Sequence, residues 1–159
     1  MKRIRLILLL LLLITITGCA KGKTSYKTLT CDYDFNDAVS GTAKTSLKIT
    51  FNQDRKTFEL VKGTIFFEVS FEQGLSNEEM NDLKKSLNEQ FCEEGFFGEG
   101  TNKSCKVSSQ TKSASVTIEV DTEKLVSENE DIDSGKETLD DLKAAIEENF
   151  ESEVKCSIN

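Results

Sequence analysis

The side chains in this sequence that are best suited to covalent chemistry are its five cysteines, and the chain contains no histidine. Without histidine, the Ser-His-Asp and Cys-His arrangements of nucleophilic catalysis are excluded, and so are the usual zinc hydrolases. The cysteines form no CxxC pair, so we do not expect them to bind a metal. Their remaining chemistry is disulfide formation and covalent modification.

Other catalytic or cofactor-binding patterns are equally hard to find. The sequence has neither a G-x-G-x-x-G motif nor a phosphate-binding G-x-x-x-x-G-K motif. A carboxylate pair could cleave glycosides, but no pair stands out among the 28 acidic residues. We therefore predict no catalytic residue, no cofactor and no metal ligand.

The segment before Cys19 has the organisation of an export signal. Basic residues at positions 2, 3 and 5 precede an unbroken apolar run over residues 6–14. This run is shorter than the roughly 20 apolar residues that a membrane-spanning helix needs. A basic head followed by a short apolar core is typical of a secretory signal.

The residues Ile16, Thr17 and Gly18 before Cys19 resemble the cleavage site of a bacterial lipoprotein signal. That resemblance implies that residues 1–18 are a signal peptide and that Cys19 becomes the lipidated first residue of the mature protein, palmitate being one expected acyl group. It also implies a domain anchored to the cell membrane on the extracytoplasmic face. One acyl chain binds membranes only marginally, so stable anchoring needs the diacylglyceryl group of this class. The alternative is an ordinary secretory signal that is cleaved elsewhere, in which case Cys19 plays no part in processing or anchoring.

The rest of the chain is predicted to form a short tether over residues 19–25 and one domain over residues 26–159. Removal of the signal leaves 17 basic residues against 28 acidic ones, a net charge of −11. An acidic excess of this size disfavours nucleic acid and anionic lipid surfaces as partners, and its simplest role is solubility. The expected partners are the membrane, through Cys19, and an unidentified protein or small molecule.

The four cysteines left after Cys19 is set aside predict two disulfides in an oxidising compartment, with three open connectivities. Cys31 and Cys156 both lie in the apolar phase of alternating segments, so they can meet if the first and last strands are neighbours. Cys92 and Cys105 lie thirteen residues apart on either side of a glycine-rich turn. The pattern favours pairing Cys31 with Cys156 and Cys92 with Cys105.

Alternating apolar residues predict strands over residues 26–35, 45–51, 57–71, 106–109, 114–120 and 153–158. A hairpin turn is expected at residues 52–55. The third strand changes its apolar phase between Val61 and Gly63, which predicts a bulge or bend there.

Two amphipathic helices are predicted, each with apolar residues at successive spacings of 3, 4 and 4. Their stripes are Met80, Leu83, Leu87 and Phe91 in the first helix, and Leu139, Leu142, Ile146 and Phe150 in the second. Capping boxes are expected at Ser76 with Glu79 and at Ser134 with Glu137. The order β-β-β-α-β-β-α-β predicts an α+β fold, an antiparallel sheet with both helices packed on one face. The repeated hairpin and helix fits either an internal duplication or convergence.

An acidic segment before the second helix carries Asn129, Asp131 and Asp133 at alternate positions, as calcium-binding loops do. The match to an EF-hand fails, because Ser134 stands where glycine is needed and Asp140 where glutamate is needed. We favour a mobile acidic loop that ends in a helix cap at Ser134.

The sequence does not decide whether three of the aromatic residues are exposed or buried. Phe96 and Phe97, between Gly95 and Gly98, could form an apolar contact for a partner or pack under the bridge formed by Cys92. We favour packing. Phe66 has the opposite phase to its neighbour, which indicates either a second apolar layer or a partly exposed strand face.

The residues Thr28, Leu29, Thr30 and Cys31, together with Cys156 near the other end, resemble small, uncharacterised lipoproteins of low-G+C Gram-positive bacteria. That resemblance implies pairing of Cys31 with Cys156 and no known activity, and the second cysteine pair is additional to it. We expect a non-enzymatic, extracytoplasmic lipoprotein that binds a ligand or partner. The alternatives are a structural or assembly lipoprotein of the cell envelope and, third, an enzyme.

Overall fold

A computed structural model describes residues 25–36, 43–150 and 154–159. In these ranges the chain is α+β, with one six-stranded antiparallel sheet, three α-helices and a π-helical segment. The strands are β1 (Tyr26–Asn36), β2 (Ala43–Asp54), β3 (Leu60–Phe71), β4 (Asn102–Gln110), β5 (Ser113–Val120) and β6 (Lys155–Ile158). The helices are α1 (Asn77–Leu87), continued by the π-helical segment Asn88–Glu93, then α2 (Thr122–Glu128) and α3 (Thr138–Asn149). The predicted signal peptide, Cys19 and all but the last residue of the predicted tether lie outside the described residues.

The predicted class is confirmed, but the predicted order of elements omitted α2. This helix has seven residues, and Asp121 caps it directly after β5 by accepting a hydrogen bond from the Lys124 N–H. Because seven residues make only two turns, the helix leaves no repeating apolar stripe in the sequence.

The strand order across the sheet is β4-β5-β3-β2-β1-β6. Successive hairpins join β1 to β2 and β2 to β3, while β6 returns from the other end of the chain to pair with β1. In this pairing Cys31 lies directly opposite Cys156. The first and last strands are therefore neighbours, as the bridge between these cysteines requires.

One face of the sheet is apolar because the strand registers align residues of the same phase. Cys31 pairs with Ile49, Ile49 with Ile65 and Ile65 with Ile118, and all four side chains are buried. The same core cluster contains residues from each helix: Leu87, Leu125, Leu139, Leu142 and Ile146. An antiparallel sheet with one packed and one solvated face shows this alternation.

The β2–β3 hairpin turn lies later than the sequence predicts. β2 continues to Asp54, so Gln53 is part of the sheet and is buried. Residues 55–57 then form the turn, and Phe58 follows with a left-handed φ of 62°. The register of β3 skips Val61 opposite β2, which places a bulge in the predicted interval.

The two predicted capping boxes have opposite outcomes. Ser76 and Glu79 form the first one: the Ser76 N–H donates to Glu79 Oε2 at 2.8 Å, and the Glu79 N–H donates to Ser76 Oγ at 3.3 Å. The second prediction is wrong, because α3 begins at Thr138 and its N-cap, Glu137, makes no side-chain cap. The buried Thr138 hydroxyl instead organises the preceding turn by accepting the Gly135 N–H at 2.7 Å.

Candidate functional site

The four described cysteines form the two disulfides that the sequence pattern favours. Cys31 and Cys156 are bonded across β1 and β6, with their sulfur atoms 1.96 Å apart. Cys92 and Cys105 are bonded between the π-helical segment and β4, at 1.95 Å. Both bridges join elements of the core, so the cysteines that the structure describes serve architecture. Cys19 lies outside the described residues.

The two aromatic residues of the glycine-rich loop pack inward, as we favoured. The Phe97 ring lies 5.8 Å from that of Phe51, which is fully buried in the sheet. The Phe96 ring stacks at 6.1 Å on Phe91 and at 6.2 Å on Phe150. These contacts connect the loop to the sheet and to the end of α3, and both rings remain partly exposed.

The acidic segment between α2 and α3 is held at its two ends by hydrogen bonds and in the middle by an apolar contact. The Asn129 side-chain amide donates to the Leu125 carbonyl at 2.7 Å, and Ile132 is buried in the core. Asp131 and Asp133 point to solvent. Within the described ranges, no group of three or more acidic or cysteine side chains could hold a metal ion.

One cavity, which we call the hairpin pocket, has a volume of about 790 Å³. It lies where the β2–β3 turn, the first residues of β3, the last residues of β5 and the start of α2 come together. Its apolar wall consists of Phe58, Leu60, Val61, Val120 and Val126. Its charged residues are Glu59, Lys62, Lys103, Glu119, Asp121 and Glu123.

The wall of the hairpin pocket is preformed, because a buried glutamine fixes the turn. The Gln53 side-chain amide donates to the carbonyl of Phe58 at 2.8 Å and to that of Gly135 at 2.6 Å. A left-handed backbone at a residue such as Phe58 is strained and persists only where surrounding contacts hold it. The Lys136 ammonium also lies 5.5 Å from the centre of the Phe58 ring, a cation–π contact.

The hairpin pocket carries an acidic excess. Four carboxylates face two ammonium groups, and one pair is already matched, with Lys103 Nζ 3.5 Å from Glu119 Oε1. The Asp121 carboxylate accepts the Lys124 N–H at 3.1 Å. Glu59 and Glu123 are exposed and make no ion pair with described residues. An apolar wall beside unmatched carboxylates suits a ligand that has both apolar surface and positive charge.

Two carboxyl groups outside this pocket have shifted pKa values, and both shifts have structural causes. The Thr57 and Lys56 N–H groups of the β2–β3 turn lower the pKa of Asp54. The hydroxyl and N–H of Ser76 lower the pKa of Glu79 in the capping box. Neither residue lines the hairpin pocket.

Sequence reasoning missed the hairpin pocket because its residues come from segments that are far apart in the chain. Its only local signal was the change of phase at Val61, a valine that is 49% exposed. That signal predicts a bulge but does not say which elements meet beside it.

Comparisons with known proteins give no match to a protein-family model, a curated protein or a solved structure. None of the helices in the described ranges has the length and apolar character that crossing a membrane requires. The function is therefore inferred from the site's own geometry.

Proposed function

We propose that this chain is a membrane-anchored, extracytoplasmic lipoprotein, and that its domain binds a basic, partly apolar polypeptide segment without catalysing a reaction. In this proposal, residues 1–18 are the signal peptide and Cys19 carries the lipid. The observation that carries the binding role is the hairpin pocket of about 790 Å³. Its volume lies within the range of roughly 300–1,000 Å³ that is usual for ligand sites.

The point where the chain enters the domain, at Ser25, supports the proposal that the partner lies at the membrane. The Ser25 carbonyl accepts a hydrogen bond from the Arg55 N–H at 3.0 Å, and Tyr26 pairs with Asp54. The chain thus enters the domain beside the turn that forms the pocket wall. Ser25 follows Cys19 by six residues, which span at most about 20 Å. A lipid at Cys19 would therefore keep the pocket near the bilayer surface, within reach of the parts of other membrane proteins that lie close to the bilayer.

The packing arrangement expected from the sequence is also part of the proposal. We propose that α1 and α3 lie on the same face of the sheet. Their buried residues Leu87, Leu139 and Ile146 share one core cluster with Ile49 and Ile65 of the sheet, which supports this arrangement. The opposite face would then remain open, with Phe66 as its 38% exposed aromatic residue.

A structural or assembly role in the cell envelope is the second candidate. Its support is the edge position of β4, a nine-residue strand that could accept a further strand. Exposed lysines on edge strands discourage such pairing, and Lys103 and Lys106 occupy this edge. The hairpin pocket therefore supports the binding role better.

Crosslinking on intact cells tests the proposed function. A photoreactive residue at Val61, in the pocket, should capture a discrete protein that one at Thr111, in the exposed β4–β5 turn, does not. Because the partner is basic, Glu123→Lys in the pocket should abolish this product. Glu78→Lys, the same charge change on exposed α1, should leave it intact. A product that is captured equally from both positions, or that survives Glu123→Lys, would contradict the proposal.

A further inference from the structure

A second cavity lies between α3 and the glycine-rich loop, on residues other than those of the hairpin pocket. It has a volume of about 440 Å³, and we call it the aromatic cleft. Its walls include the partly exposed rings of Phe96, Phe97 and Phe150. Ile132, Leu142 and Ile146 form its buried aliphatic floor.

The aromatic cleft has no charged lining residue, although charged residues make up 30% of the sequence. Its two strongly polar residues are Asn129 and Asn149. The Asn129 amide N–H donates to the Leu125 carbonyl at 2.7 Å, and that of Asn149 to the Ala145 carbonyl at 2.9 Å. Both amides thus direct a donor to their own helix, and their carbonyl oxygens remain as hydrogen-bond acceptors.

We propose that the aromatic cleft binds a neutral, largely apolar molecule that carries one hydrogen-bond donor, such as a hydroxyl or N–H group. The rings and aliphatic floor would take the apolar body, and an asparagine oxygen would accept the donor. An anionic headgroup would lose water without gaining a cation in exchange, because no lining residue is charged, and this is costly. The cleft should therefore discriminate by charge and not only by size.

Two fluorescent probes with the same aromatic skeleton test this discrimination. N-phenyl-1-naphthylamine is neutral and has one N–H donor, whereas 8-anilinonaphthalene-1-sulfonate adds only a sulfonate. With the full chain carrying Cys19→Ala, the neutral probe should bind saturably and the sulfonate roughly tenfold or more weakly.

Neighbouring alanines on α3 provide matched variants. Ala145 lines the aromatic cleft, whereas Ala144 is exposed on the same helix. Ala145→Trp should fill the cleft and abolish the saturable binding, and Ala144→Trp should preserve it. Ala145→Leu adds a smaller side chain and should weaken the saturable binding. This variant provides the test if Ala145→Trp fails to fold. The apolar segment over residues 6–14 is identical in every variant, so probe bound there does not change the comparison.

Three results would overturn the proposal. They are no saturable binding of the neutral probe, equal affinity for the sulfonate, and equal binding by folded Ala145→Trp and Ala144→Trp.

Discussion

Gln53, Thr101 and Thr138 are the polar side chains that the described part of the chain buries, and each one fixes a turn. Gln53 fixes the β2–β3 hairpin turn, and the Thr101 hydroxyl donates to the Gly98 carbonyl at 2.8 Å. Among the described residues, no buried side-chain nitrogen or oxygen lacks a hydrogen-bond partner. Burying a polar group is costly unless it is paired. These residues therefore stabilise the loops that shape both cavities.

Gly63 allows the sheet to approach the core ring beneath it. A Cβ atom at this position would lie 2.5 Å from the Phe51 ring and 3.0 Å from Val120. Because Phe51 is fully buried and cannot move freely, Gly63→Ala should lower the free energy of unfolding by about 1–3 kcal/mol. Urea titration measures this change.

Gly135→Ala is the matched control for Gly63→Ala, because a Cβ atom at Gly135 meets nothing within 4 Å. Its free energy of unfolding should stay close to that of the parent chain. Equal destabilisation by the two substitutions would show that the contact with Phe51 is not the cause.

At the scale of elements, the start of α1 depends on an ionised carboxylate. The Ser76 hydroxyl and N–H lower the pKa of Glu79 from its ordinary value of 4.5. A lowered pKa in the folded state means that the charge stabilises the fold above the unfolded-state pKa. This stability is lost as the pH falls through the lower, folded-state pKa.

We therefore expect Glu79→Gln to reduce the loss of stability on acidification below about pH 4.5. The measurement is urea unfolding across this range, and Glu78→Gln, outside the capping box, is the control. An unchanged pH profile in Glu79→Gln would contradict this role for the capping box. Some acid sensitivity should remain, because the Thr57 and Lys56 N–H groups also lower the pKa of Asp54.

The two disulfides constrain the unfolded chain to different degrees. The bridge at Cys31 spans 125 residues and that at Cys92 spans 13. Loop-closure entropy gives about 5 kcal/mol for the longer loop and about 3 kcal/mol for the shorter one. Replacing Cys31 and Cys156 by alanine should therefore destabilise the domain more than replacing the other pair.

Urea unfolding measures this difference when each double variant is compared with the parent chain that has both bridges intact. Non-reducing mass spectrometry checks the pairing itself. Peptides that link Cys31 to Cys92, or four free thiols, would contradict the disulfide assignment.

The sequence predicts the elements that repeat a pattern and misses those that do not. Ile65, Phe67 and Val69 alternate, and the stripe from Leu139 to Phe150 recurs over three turns, so a strand and a helix were predictable there. α2 is too short for such a signal. The start of α3 was misplaced because the buried Thr138 hydroxyl, a tertiary feature, decides where the helix begins.

Both cavities escaped prediction for a related physical reason. The hairpin pocket joins Phe58 to Glu119 and Glu123, and the aromatic cleft joins Phe96 to Asn149. Only the strand order and the packing of the helices bring these residues together. The packed position of Phe96 was predictable, whereas the cleft beside it was not.

At the scale of the whole molecule, Ser25, where the described chain begins, and the hairpin pocket lie at the same end of the sheet. β3 runs from Leu60 at this end to Phe71 at the other, a distance of about 36 Å at 3.3 Å per residue. The Phe71 N–H donates to the carbonyl of Lys112, so the β4–β5 turn lies at the far end. An anchor at Cys19 would hold Val61 close to the bilayer and Thr111 away from it.

Tryptophan quenching by brominated lipids tests the central claim most directly, because the sequence contains no tryptophan of its own. Val61→Trp and Thr111→Trp report on the two ends of the sheet in the full, membrane-reconstituted protein. The account predicts quenching of Val61→Trp alone, and its loss when Cys19→Ala is added. Equal quenching at both positions, or quenching that persists without Cys19, would contradict it.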